Sequence, residues 1–359
     1  MQTNSSVRSA STPSAIESFS ISVIIPTKNR PGDLKLTVET LLAQTMLPDE
    51  IVVIDQSSGD ESRRAICALL SEALPDNTRP RLNYVHDPSI TGLAQARNRA
   101  MQIVDCAILL FLDDDVSLEA DFIEELLSVY RRFPSAAGVS GIVTNYSLPP
   151  WPARAWRSLF VRGPFQDDRQ PVYWNSSRLR ASDPVPVSRF GGGLMSFRAD
   201  AIGDARFDEN LSGVSDGEDV DFCSHLKPGS LLLITPKARL VHNQSPCGRS
   251  QKHWTSREAK SNHYLYYRNW QSGVFNRLVF CWLNLGYALI ASFASLRRGS
   301  LVPWRDLLEG MREGRKVGKP RPLNLSMGEE IRTPELAMDR ELRNSFNAEQ
   351  PVGSADARP

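Results

Sequence analysis

The sequence predicts an α/β fold built on a doubly wound, mostly parallel sheet. Three observations carry that reading. Apolar strand, polar loop and helix alternate through residues 20–135, the order that βαβ units impose on a chain. The apolar runs are continuous, as in strands covered on both faces. Two of those runs end directly in carboxylates, at Asp55 and at Asp113-Asp114-Asp115.

Residues 20–26, Ser-Ile-Ser-Val-Ile-Ile-Pro, form a β-branched first strand closed by Pro26. Thr27-Lys28-Asn29-Arg30-Pro31-Gly32 is a turn-rich loop. Leu34, Val38, Leu41 and Leu42 then recur at helical spacing until Pro48. Residues 50–55 repeat the pattern of strand followed by carboxylate. A polar turn comes next, then a helix to about Ala73, a short strand at 82–85, and a helix over 91–104 carrying Arg97. The strand at 107–112 leads into the aspartate triplet.

Three adjacent carboxylates repel one another, and a fold tolerates them best around a cation; hard divalent cations take oxygen ligands. Taken alone, the triplet reads equally as a solvated turn capping the next helix. Neither the dinucleotide fingerprint nor the P-loop motif is present, so the sheet would bind its ligand by other means, and carboxylates at the strand ends are what the sequence offers.

After Ala137 the alternation stops. Residues 146–188, rich in Pro, Trp, Arg and Ser and including Trp174, read as a long irregular segment over the carboxyl edge of the sheet. Gly191-Gly192-Gly193 implies a close backbone approach. Asp216-Gly217-Glu218-Asp219-Val220-Asp221 opens a short helix, residues 231–234 form a strand, and His242 closes that unit. A helix over 259–270 precedes nineteen uncharged residues, 278–296, just long enough to span a bilayer. A basic flank to residue 321 suits an anionic cytoplasmic leaflet, with the apolar segment spanning, lying in-plane or packing as a core or dimer helix. Polar residues 1–18 and 322–359 read as disordered tails.

The formal net charge of +1 argues against a nucleic-acid partner. The five cysteines contain no CxxC pair, and residues 1–18 have no apolar core of a secretory leader, so the expected compartment is the reducing cytoplasm.

At one sheet edge these loops collect Asp55, Asp113 to Asp115, Glu218, Asp219 and His242 with Lys28, Arg30 and Arg97. Such a set can hold a divalent metal, neutralise phosphate and leave a carboxylate free as a base. In these pieces, Ser22–Arg30, Ile51–Asp55, Gly92–Asn98, Phe111–Asp115, Gly191–Arg198, Gly217–Phe222 and His242, the sequence resembles glycosyltransferase family 2. One departure is Asp55-Gln56-Ser57-Ser58, where the family often has Asp-Asp-Gly-Ser.

The resemblance implies a GT-A fold over 19–258, with a nucleotide-sugar-binding half (19–135) and an acceptor half (136–258), followed by C-terminal helices over 259–321. It implies inverting transfer from a nucleoside-diphosphate sugar with Mg²⁺ or Mn²⁺. Pro26, Thr27, Asn29, Arg30, Asp55, Arg97, Asp113 and Asp114 would meet the donor, with Arg97 at the diphosphate. Asp115 and His242 would ligate the metal. Asp219 would be the base, supported by Glu218. Gly191, Gly192, Gly193 and Trp174 would line the acceptor side, and the acceptor would be a glycan or lipid-linked glycan, as in bacterial surface polysaccharide synthesis. Homo-oligomerisation is left open. Two alternatives compete: a non-catalytic nucleotide-sugar-binding or membrane scaffold protein, and a haloacid-dehalogenase-like phosphatase using Asp113 as nucleophile.

Overall fold

The computed structural model describes residues 19–73, 75, 78–174, 183–211, 217–245 and 254–318. The tails at 1–18 and 322–359, the side chain of Trp174, Asp216 and Cys247 lie outside the described residues.

Strands β1 (Ile21–Thr27), β2 (Glu50–Asp55), β3 (Arg81–His86) and β4 (Ile108–Leu112) pair in parallel in the order β3-β2-β1-β4. Helices α1 (Pro31–Leu42), α2 (Glu61–Ala73) and α3 (Leu93–Met101) connect them. Successive strand residues divide between two cores, as the two-residue period of a strand requires. Val23, Ile25, Val53 and Leu110 pack with Leu34 and Val38 of α1. Ile24, Val52, Ile54 and Phe111 pack with Ala94 and Ala100 of α3. Both faces are therefore covered, which is why these strands read as unbroken apolar runs. Pro26 is tolerated in a central strand because the ladder between β1 and β4 ends at Ile24–Phe111, so no missing N–H is felt there.

Beyond β4 the sheet continues through β8 (Leu194–Arg198), β6 (Ala136–Val143), β9 (Leu231–His242) and β5 (Val116–Leu118), with β7 (Val185–Val187) also on β9. Strand β8 runs antiparallel to both neighbours. The remaining helices of this region are α4 (Phe122–Arg132), α7 (Ala199–Ile202) and α8 (Glu218–Ser224). The sequence does not announce β6, whose Ala-Ala-Gly-Val-Ser-Gly-Ile-Val lacks a run of bulky residues. Small residues are needed there: a Cβ on Gly138 would lie 2.7 Å from the Phe190 ring and 2.8 Å from the Ser196 carbonyl oxygen.

One irregularity positions the site. Ser140 of β6 pairs with Ile234 and Ile142 with Arg239, so two steps along β6 are matched by five along β9. The extra residues lie around Pro236, a residue confined to edges and bulges in sheets. Gly141 makes room for them, since a Cβ there would sit 2.2 Å from the Ala238 carbonyl oxygen. Past this bulge β9 reaches β5, and His242 comes to face Val116, next to Asp115.

The stretch expected to be irregular over 146–188 instead contains α5 (Trp151–Phe160), α6 (Gln170–Trp174) and β7. A proline in its first turn starts α5, where a missing N–H costs nothing. Its apolar face packs on the C-terminal unit rather than on the sheet. That unit comprises α9 (Trp254–Leu265), a π-helical turn (Tyr266–Trp270), α10 (Val274–Arg298) and α11 (Val302–Val317). Phe165, Tyr266, Phe280, Leu283, Tyr287 and Leu307 form its own core.

Candidate active site

The site is built where β1, β2 and β4 end side by side. Thr27 and Asp55 are register partners at the ends of β1 and β2. The two following loops are tied together: Asn29 donates its backbone N–H to the Ser57 hydroxyl at 2.7 Å, and Gln56 donates to the Thr27 carbonyl at 2.9 Å. Asp55 is fully buried, accepting from the Tyr84 hydroxyl at 2.6 Å and the Ser57 N–H at 2.9 Å. Burial, then the neighbouring Asp55, pushes the Tyr84 hydroxyl well above its ordinary range, so Tyr84 stays a donor that fixes Asp55 at the floor of the loop.

The aspartate triplet splits into two jobs. Asp114 turns inward and clamps the first loop. Its carboxylate accepts from the Thr27 hydroxyl at 2.7 Å and Arg30 at 3.0 Å, and its carbonyl accepts from the Thr37 hydroxyl at 2.8 Å. Burial raises its carboxyl to about 6, against the opposing pull of Thr27 and Arg30.

Asp113 and Asp115 turn the other way, toward His242. One oxygen of Asp115 lies 2.9 Å from His242 Nε2, and the other accepts the Ser245 N–H at 2.8 Å. Burial would raise the Asp115 carboxyl, but His242, Ser245 and Arg30 together hold it low. Asp113 Oδ2 is 3.9 Å from His242 Nε2.

Asp113, Asp115 and His242 each offer a ligand atom, all within 4.8 Å of one another. Two carboxylates and an imidazole are a donor set that a divalent metal accepts. The outer contacts fit too: Tyr146 hydroxyl meets His242 Nδ1 at 3.1 Å, and Asn145 holds the His242 backbone through both its N–H and its carbonyl. A partner on the second ring nitrogen is what fixes a metal-binding histidine in orientation and tautomer.

Opposite this cluster, α8 is capped by Gly217, whose φ of 110° favours glycine. Asp219 accepts the Gly192 N–H at 2.8 Å and lies 3.6 Å from Arg169. Arg169 is itself gripped by Asp167 at 2.9 and 3.0 Å. Burial alone would raise the Asp167 carboxyl, but the Arg169 guanidinium overrides it and holds Asp167 at about 2.

Glu218 is buried against Arg97 at 3.1 Å. Arg97, 1% exposed, also donates to the Gly192 carbonyl and lies over the Phe207 ring. Its guanidinium is therefore turned into the fold, and on the side of the aspartate triplet it lies 3.7 Å from Asp113.

Each glycine of the triplet leaves room for a charged neighbour. A Cβ on Gly191 would lie 2.9 Å from Arg169, one on Gly192 3.1 Å from Glu218, and one on Gly193 2.7 Å from Asp113. The turn thus lies between the metal-capable cluster and Asp219. A cavity of about 360 Å³ runs along it, with His242, Asp219, Tyr146, Arg169 and Tyr173 in its wall. Of the sequence-derived site residues, Asp219, His242 and Gly191 to Gly193 share this cavity. Thr27, Asn29, Arg30, Asp55 and Asp114 form the adjoining loop cluster.

Sequence reasoning missed Tyr146, Asp167, Arg169 and Tyr173. All four lie on the stretch that lacks readable periodicity, and Asp167-Asp168-Arg169 gives no motif. The cysteines give no metal or disulfide site among the described residues: Cys67, Cys106, Cys223 and Cys281 are free.

Residues 22–201 match the family model described as "Glycosyl transferase family 2". The chain is 27% identical over 245 residues to the succinoglycan biosynthesis protein ExoM of Rhizobium meliloti, covering 67% of this chain and 72% of ExoM. It is 30% identical over 129 residues to validoxylamine A glucosyltransferase of Streptomyces hygroscopicus, covering 35% of this chain but only 27% of that protein. Among solved structures, a mannosyltransferase from Pyrobaculum calidifontis in complex with GDP-Man and Mn²⁺ superposes with a TM-score of 0.51 at 18% identity. That alignment covers 84% of this chain and 86% of the neighbour and shows a shared GT-A fold.

Proposed function

The chain belongs to glycosyltransferase family 2, and from that premise we propose that it moves a hexosyl or deoxyhexosyl group from a nucleoside-diphosphate sugar to an acceptor hydroxyl, with inversion. The acceptor is a glycan or lipid-linked glycan of a bacterial surface polysaccharide, met at the cytoplasmic face of the membrane. The observation that carries this reading is that His242, from the metal-capable cluster, and Asp219 line the same cavity. The group that would stabilise a leaving diphosphate and the group that would activate an acceptor are thus held across one space.

In this reading Asp219 accepts the proton of the acceptor hydroxyl. The hydroxyl oxygen forms the new bond to the anomeric carbon while the bond to the diphosphate breaks on the opposite face, which inverts the centre. The Gly192 N–H and Arg169 keep the Asp219 carboxylate aimed into the cavity. Asp113, Asp115 and His242 would hold Mg²⁺ or Mn²⁺, which neutralises charge on the departing diphosphate. Pro26, Thr27, Asn29 and Asp55 shape the nucleoside side, and Arg30, 3.9 Å from Asp115, meets phosphate there. Arg97 and Glu218 act at one remove, by bracing Asp113 and the Gly192 turn. The phosphatase alternative fits neither the family nor the position of the triplet on the fourth strand, and the likeness of fold gives it no support.

The test begins with thermal shifts of the full chain with UDP, dTDP or GDP, with and without Mn²⁺, since a ligand that binds the native state raises its melting point. The nucleotide that binds selects the donor for a transfer assay. Asp219→Asn is expected to lower kcat by at least about a hundredfold while nucleotide binding persists. Near-normal turnover in that variant would remove Asp219 as the base. A wild-type chain that binds donor and never transfers it would restore the scaffold reading.

A further inference from the structure

The outer surface of the C-terminal unit is apolar and basic, and it is shared by two helices. Helix α10 has two apolar faces. Its inner face, including Val279, Phe280, Leu283 and Tyr287, belongs to the core of the unit. Its outer face presents Phe275, Leu278, Trp282, Leu285, Leu289 and Phe293, 41–69% exposed. These recur at steps of three and four and so form one stripe, running about 27 Å at the helical rise of about 1.5 Å per residue. Helix α5 widens the stripe. The Trp282 indole N–H donates to the Leu159 carbonyl at 2.8 Å, and the Phe160 and Trp282 rings lie 5.1 Å apart. Gly286 allows this contact, because a Cβ there would sit 2.5 Å from the Phe160 ring. From α5 come Trp151, 76% exposed, and Leu159, 50% exposed.

We propose that α5 and α10 together form an in-plane docking surface for an anionic lipid bilayer. Among the described residues, α10 is the helix long and apolar enough to cross a membrane. Crossing would, however, strip its inner face from Phe165, Tyr266 and Leu307, with which it is packed. Lying in the interface leaves that core intact and buries only the outer face.

Charge selects lipid over a second copy of the chain. No carboxylate occurs from Ala259 to Arg305 or from Ser147 to Gln166. The same stretches carry Arg154, Arg162, Arg277, Arg297, Arg298 and Arg305. Two such surfaces face to face would repel, whereas anionic headgroups complement them. The docking also explains how an acceptor arrives. Arg157 of α5, paired with Glu258 at 3.2 Å, lies in the cavity wall together with Asp219, so the cavity borders the docked helix and takes a lipid-linked acceptor from the bilayer. This last step rests on the transferase reading; the docking does not.

Co-sedimentation of the full chain with phosphatidylcholine vesicles containing about one-third phosphatidylglycerol tests the proposal. The chain is expected to pellet with these vesicles and far less with phosphatidylcholine alone. Two variants, Phe275→Ser/Leu289→Ser/Phe293→Ser and Trp151→Ser/Leu159→Ser, are each expected to bind about tenfold or more weakly. All five side chains are exposed, and an unchanged melting temperature confirms that each variant is folded. Wild-type protein left in the supernatant, or variants that pellet like wild type, would overturn the proposal. So would a dimer in sedimentation equilibrium that these substitutions dissociate, since the occupant would then be a second copy. The vesicle readout needs no substrate, so failure of docking and failure of the transferase reading are separately visible.

Discussion

Removing the carboxylate of Glu218 should destabilise the protein more than any exposed charge change, because it strands Arg97. The two groups meet at 3.1 Å with side chains 5% and 1% exposed. Deleting one member of a buried pair costs about 3–5 kcal/mol, since the other charge stays desolvated. Part of the Arg97 environment survives: the Gly192 carbonyl still accepts from it, the Phe207 ring still lies under it, and Asp113 stays 3.7 Å away. Glu218→Ala is therefore placed at the lower end, about 3 kcal/mol, a large share of a typical stability of about 5–15 kcal/mol. Glu218→Gln keeps an oxygen acceptor and should lose about half as much. Arg97→Met/Glu218→Leu, which removes both charges, should recover most of the loss. Urea unfolding of the four proteins measures this through the midpoint at constant slope. A Glu218→Ala variant within about 1 kcal/mol of wild type would refute the reasoning. Arg97 would then be a solvated cation free to reach a diphosphate, as the sequence suggested.

The remaining expectations concern the metal-capable cluster, acid stability and two glycines. His242→Ala should abolish Mn²⁺ binding measured by electron paramagnetic resonance of the free ion, and Tyr146→Phe, which removes the hydroxyl that meets Nδ1, should weaken it by about tenfold; unchanged binding in both would remove His242 from the ligand set. Asp167 is held at about 2 from an ordinary 3.8, so it contributes about 2 kcal/mol above pH 3.8 that is lost as pH falls through about 2. Wild type and Asp167→Asn should therefore converge in stability at strongly acidic pH, and a constant gap in urea midpoints down to that pH would contradict the Arg169 clamp. Gly193→Ala pushes only against the end of the Asp113 side chain, whereas Gly141→Ala pushes against the Ala238 backbone. The first should lower Mn²⁺ affinity with little change in melting temperature, and the second should cost about 3 kcal/mol; the reverse order would mean that the bulge yields more easily than the carboxylate.

What could be read in the sequence was local. Asp55 and the triplet stood out because each follows an apolar run directly, although the triplet by itself reads equally as a helix-capping turn, and the acids after Gly217 stood out by their density. The split within the triplet was not, because it depends on Thr27, Thr37 and Arg30 arriving from another strand and helix. The fate of Arg97 was equally hidden: its partner is 121 positions away, and a helix surface arginine looks the same in either role. Strand β6 escaped notice because tight packing demands glycine and serine there, residues that erase the apolar signal. Helix α5 escaped because its tryptophans and prolines resemble a loop until α10 is there to receive them.

The bulge in β9 has a consequence for how this site is encoded. Side chains along a strand alternate sides, so the number of residues between Ile234 and Arg239 sets which side His242 takes. Losing one residue there would turn His242 away and bring Asn243 into its place, with no change to any residue of the aspartate triplet. The imidazole at the cluster is specified by a count as much as by a letter. A chain with every acidic motif intact and one residue fewer in this stretch would keep the family's signature and lose the third corner of its metal-capable cluster.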